Sequence, residues 1–200
     1  MTPMPDSRPY HHGDLRAALL ESAERTLREK GVGSLSLREL ARETGVSHAA
    51  PGRHFKDKQA LLDALALAGY DRMAAAMDAA HDPALPLQPR LTALARGYLT
   101  FATENAELLA LMYARKHEPE AAEQMAAAVD RTVGAFERVI ADAQRHGEII
   151  EGDPEQLTLF TGAALHGLAA LTAGGMLDET AVLAMTDDLI RVLLHGLTPR

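Results

Sequence analysis

The chain is predicted to be all-α, in two unequal parts: a small N-terminal three-helix domain extended by a long fourth helix, and a larger antiparallel helical C-terminal domain. Three observations predict this. Hydrophobic residues make up 47% of the 200 residues, and much of that share is Ala and Leu, the residue types with high helix propensity. Apolar positions recur at three- and four-residue spacing, bounded by capping residues and Gly, with no strand-like alternation of useful length. The stretch from His81 to Pro89 interrupts the helical pattern with Pro83, Pro86 and Pro89, so the domains are drawn at residues 1–80 and 81–200.

Residues 1–9 hold three prolines and little apolar content, and read as a flexible arm. Asp14 is a good N-cap for a first helix whose buried stripe is Leu15, Leu19, Ala23 and Leu27, closed by Gly31 after Lys30. A second helix opens at Ser36. Ser36 and Glu39 have capping-box spacing, and Leu37, Leu40 and Ala41 share a face. Gly45 follows at the position where a left-handed residue turns the chain, and Val46 can plug the corner. Ser47 is then a second N-cap, predicted to open a short helix through about Phe55. Cap, apolar face, Gly, plug and cap in that order are a helix-turn-helix, whose second helix projects outward. Pro51 is tolerable there only because first-turn amides have no intrahelical partner, and Gly52 costs about 1 kcal/mol of propensity relative to Ala. Asp57 caps a long helix with Leu61, Leu62, Leu65 and Met73 on its apolar face.

These residues carry a family resemblance. LSLRELARETGVS, then RHF, then DKQALLDAL resemble the N-terminal domain of the TetR-type transcriptional regulators, over roughly residues 10 to 75. In the remainder the likeness is architectural, with Leu165-His166-Gly167 similar to the Trp-His-Gly signature of one C-terminal subgroup, though this chain has no Trp. One departure lies inside the motif: Gly52 stands where the family usually has Tyr, a residue that commonly holds a DNA phosphate. The resemblance implies a homodimer on double-stranded DNA. His48, Ala49 and Ala50 would face base edges, since Ala can touch a thymine methyl and His48 can hydrogen-bond. Ser36, Arg38, Ser47, Arg53, His54 and Lys58 would position phosphates, and Arg8, His11 and His12 would reach phosphates or a minor groove. The plainer alternatives are a polar lead-in for His11 and His12, a structural His54, and a surface Lys58 on a capped helix.

Charge is distributed consistently with that division. The net charge is −8, yet residues 1–80 carry 11 Lys/Arg against 11 Asp/Glu, while residues 81–200 carry 9 against 17. Cysteine is absent, which excludes disulfides and thiolate metal sites. No metal-ligand spacing, phosphate loop or Gly-x-Ser-x-Gly occurs, so neither a cofactor nor enzymatic activity is expected. No apolar run of about 18 residues occurs, so no membrane association is expected and the cytoplasm is the default location.

In the C-terminal part, Leu91, Leu94, Tyr98 and Phe101 mark a helix resuming at Arg90; Glu107 to Tyr113 mark a second, and about Pro119 to His146 a third. Asp153-Pro154 opens the next, weakened at its end by Gly174-Gly175, and Asp178 caps the last. The helix from Pro154 is rich in small residues, among them Gly162, Ala163, Gly167 and Ala170, which permit close helix approach. The last two helices, about 154–197, are the expected dimer interface; plain internal core is the alternative. Five of the eight aromatic residues join Met112 and His166 in a candidate effector pocket: Tyr98, Phe101, Tyr113, Phe136 and Phe160. Each taken singly is also a good core residue. Such walls with Tyr and His tips would suit a small apolar or aromatic effector.

The expected function is a DNA-binding transcriptional regulator, a repressor released from a palindromic operator by that effector. The alternatives are an effector-free DNA-binding protein governed by a protein partner, a regulator whose DNA head has decayed, and an all-α enzyme that retains the head as an appendage.

Overall fold

The computed structural model describes residues 15–116 and 122–195. Among them are eight α-helices, two short 3₁₀ turns and no strand. The chain packs as two compact units, Met1–Leu65 and Ala66–Arg200, which meet within the third helix and upstream of the proline segment.

In the first unit, helix α1 (Leu15–Lys30) buries Leu19, Ala23 and Leu27, while Leu15 is half-buried at its start. Two polar side chains share that buried face and are satisfied there. The Thr26 hydroxyl donates to the Ser22 carbonyl at 3.1 Å, and the Ser22 hydroxyl donates to the Glu43 carboxylate at 2.7 Å. The second of these ties α1 to the end of α2 (Leu37–Glu43).

The start of α2 differs from expectation. Ser36 has the extended backbone of an N-cap and its carbonyl accepts the Leu40 amide at 3.0 Å, but its side chain caps nothing. Glu39 lies with Arg42 at 3.5 Å instead of reaching back, so the capping box is not formed. The end of α2 follows the sequence closely. Gly45 has φ 71°, its amide bonds the Arg42 carbonyl at 3.3 Å, and the Val46 amide bonds the Ala41 carbonyl at 2.9 Å. This pair of bonds is a Schellman turn, and it satisfies carbonyls that the helix end would otherwise leave bare. Asp57 then caps α3 (Lys58–Ala80) through the Ala60 amide at 2.8 Å.

The second unit holds the rest of α3 with α4 (Leu87–Glu104), α5 (Ala106–Lys116), α6 (Ala122–Arg145), α7 (Pro154–Ala173) and α8 (Glu179–His195). Helix α4 starts at Leu87, ahead of the expected Arg90, because Pro89 falls in the first turn, where no amide is required. Helix α5 extends beyond the expected Glu107–Tyr113 at both ends, and the expected start of α6 near Pro119 lies outside the described residues. Helix α4 is central, packing against α6, α7 and most extensively α8. Its approach to α3 needs Gly97: a Cβ there would sit 3.1 Å from the Ala76 carbonyl oxygen and 3.2 Å from the Met77 Cα. Leu94, Leu99, Met112, Met125 and Leu165 are among the most deeply buried side chains.

Candidate nucleic-acid interface and the helical body

The corner at Gly45 delivers an exposed segment. Ser47, His48, Ala49, Gly52, Arg53 and His54 are exposed, Ala50 is half-buried, and Pro51 and Phe55 turn inward. The segment is not the regular α-helix expected from Ser47 to Phe55. The Ala50 amide bonds the Ser47 carbonyl at 2.9 Å, the Arg53 amide bonds the Ala50 carbonyl at 3.2 Å, and Pro51–Arg53 is a 3₁₀ turn. The cause is local. An α-helix would send the amide of residue 51 back to the carbonyl of Ser47, and proline has none to send. Gly52 adds no helical preference to compensate. Phe55 is 2% exposed and anchors the far end of the turn, with the Arg16 guanidinium 5.5 Å from its ring centroid.

Around this turn the candidate phosphate residues are placed unequally. Arg38 is exposed on α2, whereas Ser36 is half-buried. His54 is exposed beside Phe55, with ring centroids 6.5 Å apart, rather than packed between helices. Lys58 is occupied: its ammonium donates to the carbonyls of Val32 at 3.0 Å and Gly33 at 3.3 Å, tying the start of α3 to the turn after α1. Arg8, His11 and His12 lie outside the described residues. Two exposed cations in this unit, Arg42 and Lys56, were passed over in the sequence because neither sits at a cap or a motif position.

In the body, three of the seven candidate pocket residues meet. The Tyr98 hydroxyl lies 3.0 Å from His166 Nδ1, and the Tyr113 ring is 4.2 Å from the His166 ring at an interplanar angle of 32°. Burial lowers the His166 pKa, which keeps the imidazole neutral and able to accept at Nδ1. Burial also pushes the Tyr98 hydroxyl far above the ordinary phenol range, and Tyr113 beside it adds to the rise, so Tyr98 is the donor. Nearby, the Tyr70 hydroxyl donates to the Met112 carbonyl at 3.4 Å, with its pKa raised to about 12 mainly by burial. Met112, Phe101 and Phe136 are buried; Phe101 has the Arg72 guanidinium 5.8 Å from its ring centroid.

Phe160 stands apart from this cluster and is 56% exposed. It lines an open recess of about 570 Å³ formed by the start of α4, the ends of α6 and α8, the α6–α7 loop and the first half of α7. The apolar walls include Leu91, Ile140, Leu157, Ile190 and Leu194. Nothing in the one-dimensional pattern marks this recess, since its residues come from four helices and a loop. Among the described residues no group of three or more His, Asp or Glu is placed to hold a metal ion. No helix among them is long and apolar enough to cross a membrane.

Against known proteins, residues 19–65 match the family model for bacterial regulatory proteins of the tetR family, and residues 91–197 match the tetracyclin repressor-like C-terminal domain. A protein of unknown function from Rhodococcus sp. RHA1 has a solved structure that superposes with a TM-score of 0.82 at 46% identity, covering 94% of this chain and 100% of that one. An HTH-type transcriptional regulator of Mycobacterium tuberculosis is 30% identical over 141 residues, 68% of this chain, and the matched stretch spans 59% of that relative's length. A TetR family transcriptional regulator, PfmR of Thermus thermophilus, shares the fold at a TM-score of 0.74 and 21% identity, covering 92% of this chain and 98% of that one.

Proposed function

Since this chain belongs to the tetR family of bacterial regulatory proteins, we propose that it is a homodimeric DNA-binding repressor in the cytoplasm, released from a palindromic operator by a small apolar or aromatic effector. On this reading residues 1–80 bind DNA and residues 81–200 dimerise and take the effector. The observation that carries it is the exposed Ser47–His54 turn, projected by the Gly45 corner and flanked by exposed Arg38, Arg42, Arg53 and Lys56. His48 and Ala49 at its start would meet base edges, and the arginines would fix register on phosphates. With Lys58 engaged by backbone carbonyls, its phosphate role would require those bonds to be exchanged.

The dimer is supported by α7. Between residues 156 and 173 this helix carries no Asp, Glu, Lys or Arg, yet it buries only Thr158, Leu165 and Ala169. Leu159, Phe160, Gly162, Ala163, Gly167, Ala170 and Leu171 are all exposed, as are Met185 and Leu193 on α8. An apolar face of this kind marks an association surface. A two-fold pair of helices is also what a palindromic site requires. The Tyr98–His166–Tyr113 cluster supports an effector site in the same part, because it sets a small polar focus within an apolar interior. The effector shifts DNA binding only by its unequal affinity for the two states, typically worth about 1–3 kcal/mol.

Fluorescence anisotropy with DNA flanking the protein's own gene, against scrambled DNA and across salt concentrations, tests the reading. A preferred palindrome whose binding weakens steeply with salt supports it. A second reading, a decayed head, is favoured by the broken helix at Pro51 and Gly52. Weak binding that ignores sequence would select it.

A further inference from the structure

We propose that the recess among α4, α6, α7 and α8 is a binding site for a small hydrophobic cation, separate from the Tyr98–His166–Tyr113 cluster. Its volume of about 570 Å³ falls within the range of small-molecule sites. Ten of its fourteen lining residues are aliphatic or aromatic, enough to hold an apolar tail. It is displaced from the cluster along both shared helices: Leu91 precedes Tyr98 by two turns of α4, and Phe160 precedes His166 by nearly two turns of α7.

The charge at the mouth selects the head group. Glu148 is the one lining residue with a fixed charge; it is exposed, and among the described residues its carboxylate has no ion-pair partner. The loop that brings Ile149 and Ile150 to the recess also carries Glu151 and Asp153, and no Lys or Arg occurs between Arg145 and Arg191. The cations at this end are already matched with carboxylates. Arg145 pairs with Asp142 at 2.8 Å, Arg90 lies 3.6 Å from the same carboxylate, and Arg191 pairs with Asp188 at 2.6 Å. Gln88, Thr161 and His195 supply the remaining polar atoms of the lining. The loop is held rather than free, because the Gln144 amide donates to the carbonyls of Ile150 and Gly152 at 3.1 Å each. The result is an apolar recess with a negative rim, which favours an ammonium head over a neutral one and repels an anion.

The test is direct binding, by titration calorimetry on the full chain, of three probes with one tail and different heads: octyltrimethylammonium, octyl glucoside and octyl sulfate, each kept monomeric. The cation is expected to bind most tightly and the sulfate least. Glu148→Gln should weaken the cation up to about five-fold while leaving octyl glucoside unchanged, the scale of an exposed charge pair. Ile150→Lys, at a lining position that is 75% exposed, places a like charge at the mouth and should abolish cation binding without touching the core. Circular dichroism of both variants checks that the helices persist. The proposal is overturned if the sulfate binds as tightly as the cation, or if both variants bind the cation like the parent. Absence of saturable binding by all three probes also overturns it, and would leave the recess to a second copy of the chain or to residues 196–200.

Discussion

Two surfaces of this protein are left exposed by folding, and they are opposites. The Ser47–His54 turn of the first unit is polar, with small side chains and cations around it, and its backbone departs from a regular helix. The α7 face of the second unit is a regular helix with no charge between residues 156 and 173, exposing Leu159 at 66% and Phe160 at 56%. A surface of the first kind loses little by contact with water and suits a polyanion; a surface of the second kind gains by being covered. Exposure alone therefore does not identify a partner. The chemistry of what is exposed does.

The sharpest ways to probe that contrast start in the cores that hold each surface in place. Phe55→Ala, behind the recognition turn, should cost about 3–5 kcal/mol and remove the turn's anchor, read as the thermal midpoint. Met112→Ala in the body, at 0% exposure, should cost about 2–5 kcal/mol by the same measurement. If either change were silent, the corresponding surface would not be set by its core. Next is the buried link between α1 and α2. Ser22→Ala removes the 2.7 Å bond to Glu43 and should destabilise by roughly 1–3 kcal/mol, read by denaturant titration.

A gain is expected at Gly52. A Cβ there meets nothing within 4 Å, so Gly52→Ala should leave the fold intact and favour helix by up to about 1 kcal/mol, checked by circular dichroism. Gly52→Tyr should raise DNA affinity if the head is a working reader that lacks one phosphate contact. The smallest effect concerns pH. Burial lowers the His166 pKa below its ordinary 6.5, so the unfolded chain takes up the proton first as pH falls. The stability held by the neutral imidazole is full above about pH 6.5 and is lost as pH drops through the window beneath it. Thermal midpoints from pH 8 to 5 should show that slope, and His166→Gln should flatten it.

The fold was legible in the sequence wherever one residue type enforces one backbone geometry. Gly45, Asp57, Asp153 and Asp178 each sit where the pattern put them, and the division of labour between a small head and a helical body follows from the proline segment. It was not legible where two local preferences competed. Ser47 asks for a helix and Pro51 withholds the bond that would continue it, so the segment settles as turns. Ser36 and Glu39 had capping spacing, yet Glu39 turned to Arg42. The candidate pocket shows a different limit. Tyr98, Tyr113 and His166 come together from three helices, whereas Phe160, just six residues before His166, lines a different recess. Apolar character predicts burial, but which interior or recess a side chain enters depends on packing among helices far apart in sequence.

The account rests most on the claim that the charge-free face of α7 pairs two recognition turns for one operator. Leu159→Glu combined with Leu171→Glu places carboxylates on that face at positions that are 66% and 37% exposed in the single chain. Sedimentation and operator anisotropy on this variant should be measured together. The account predicts a folded monomer, a dimer dissociation constant raised by about 30-fold or more, and a matching loss of affinity for the palindrome. A variant that stays dimeric, or a monomer that binds the palindrome as tightly as the parent, would contradict it.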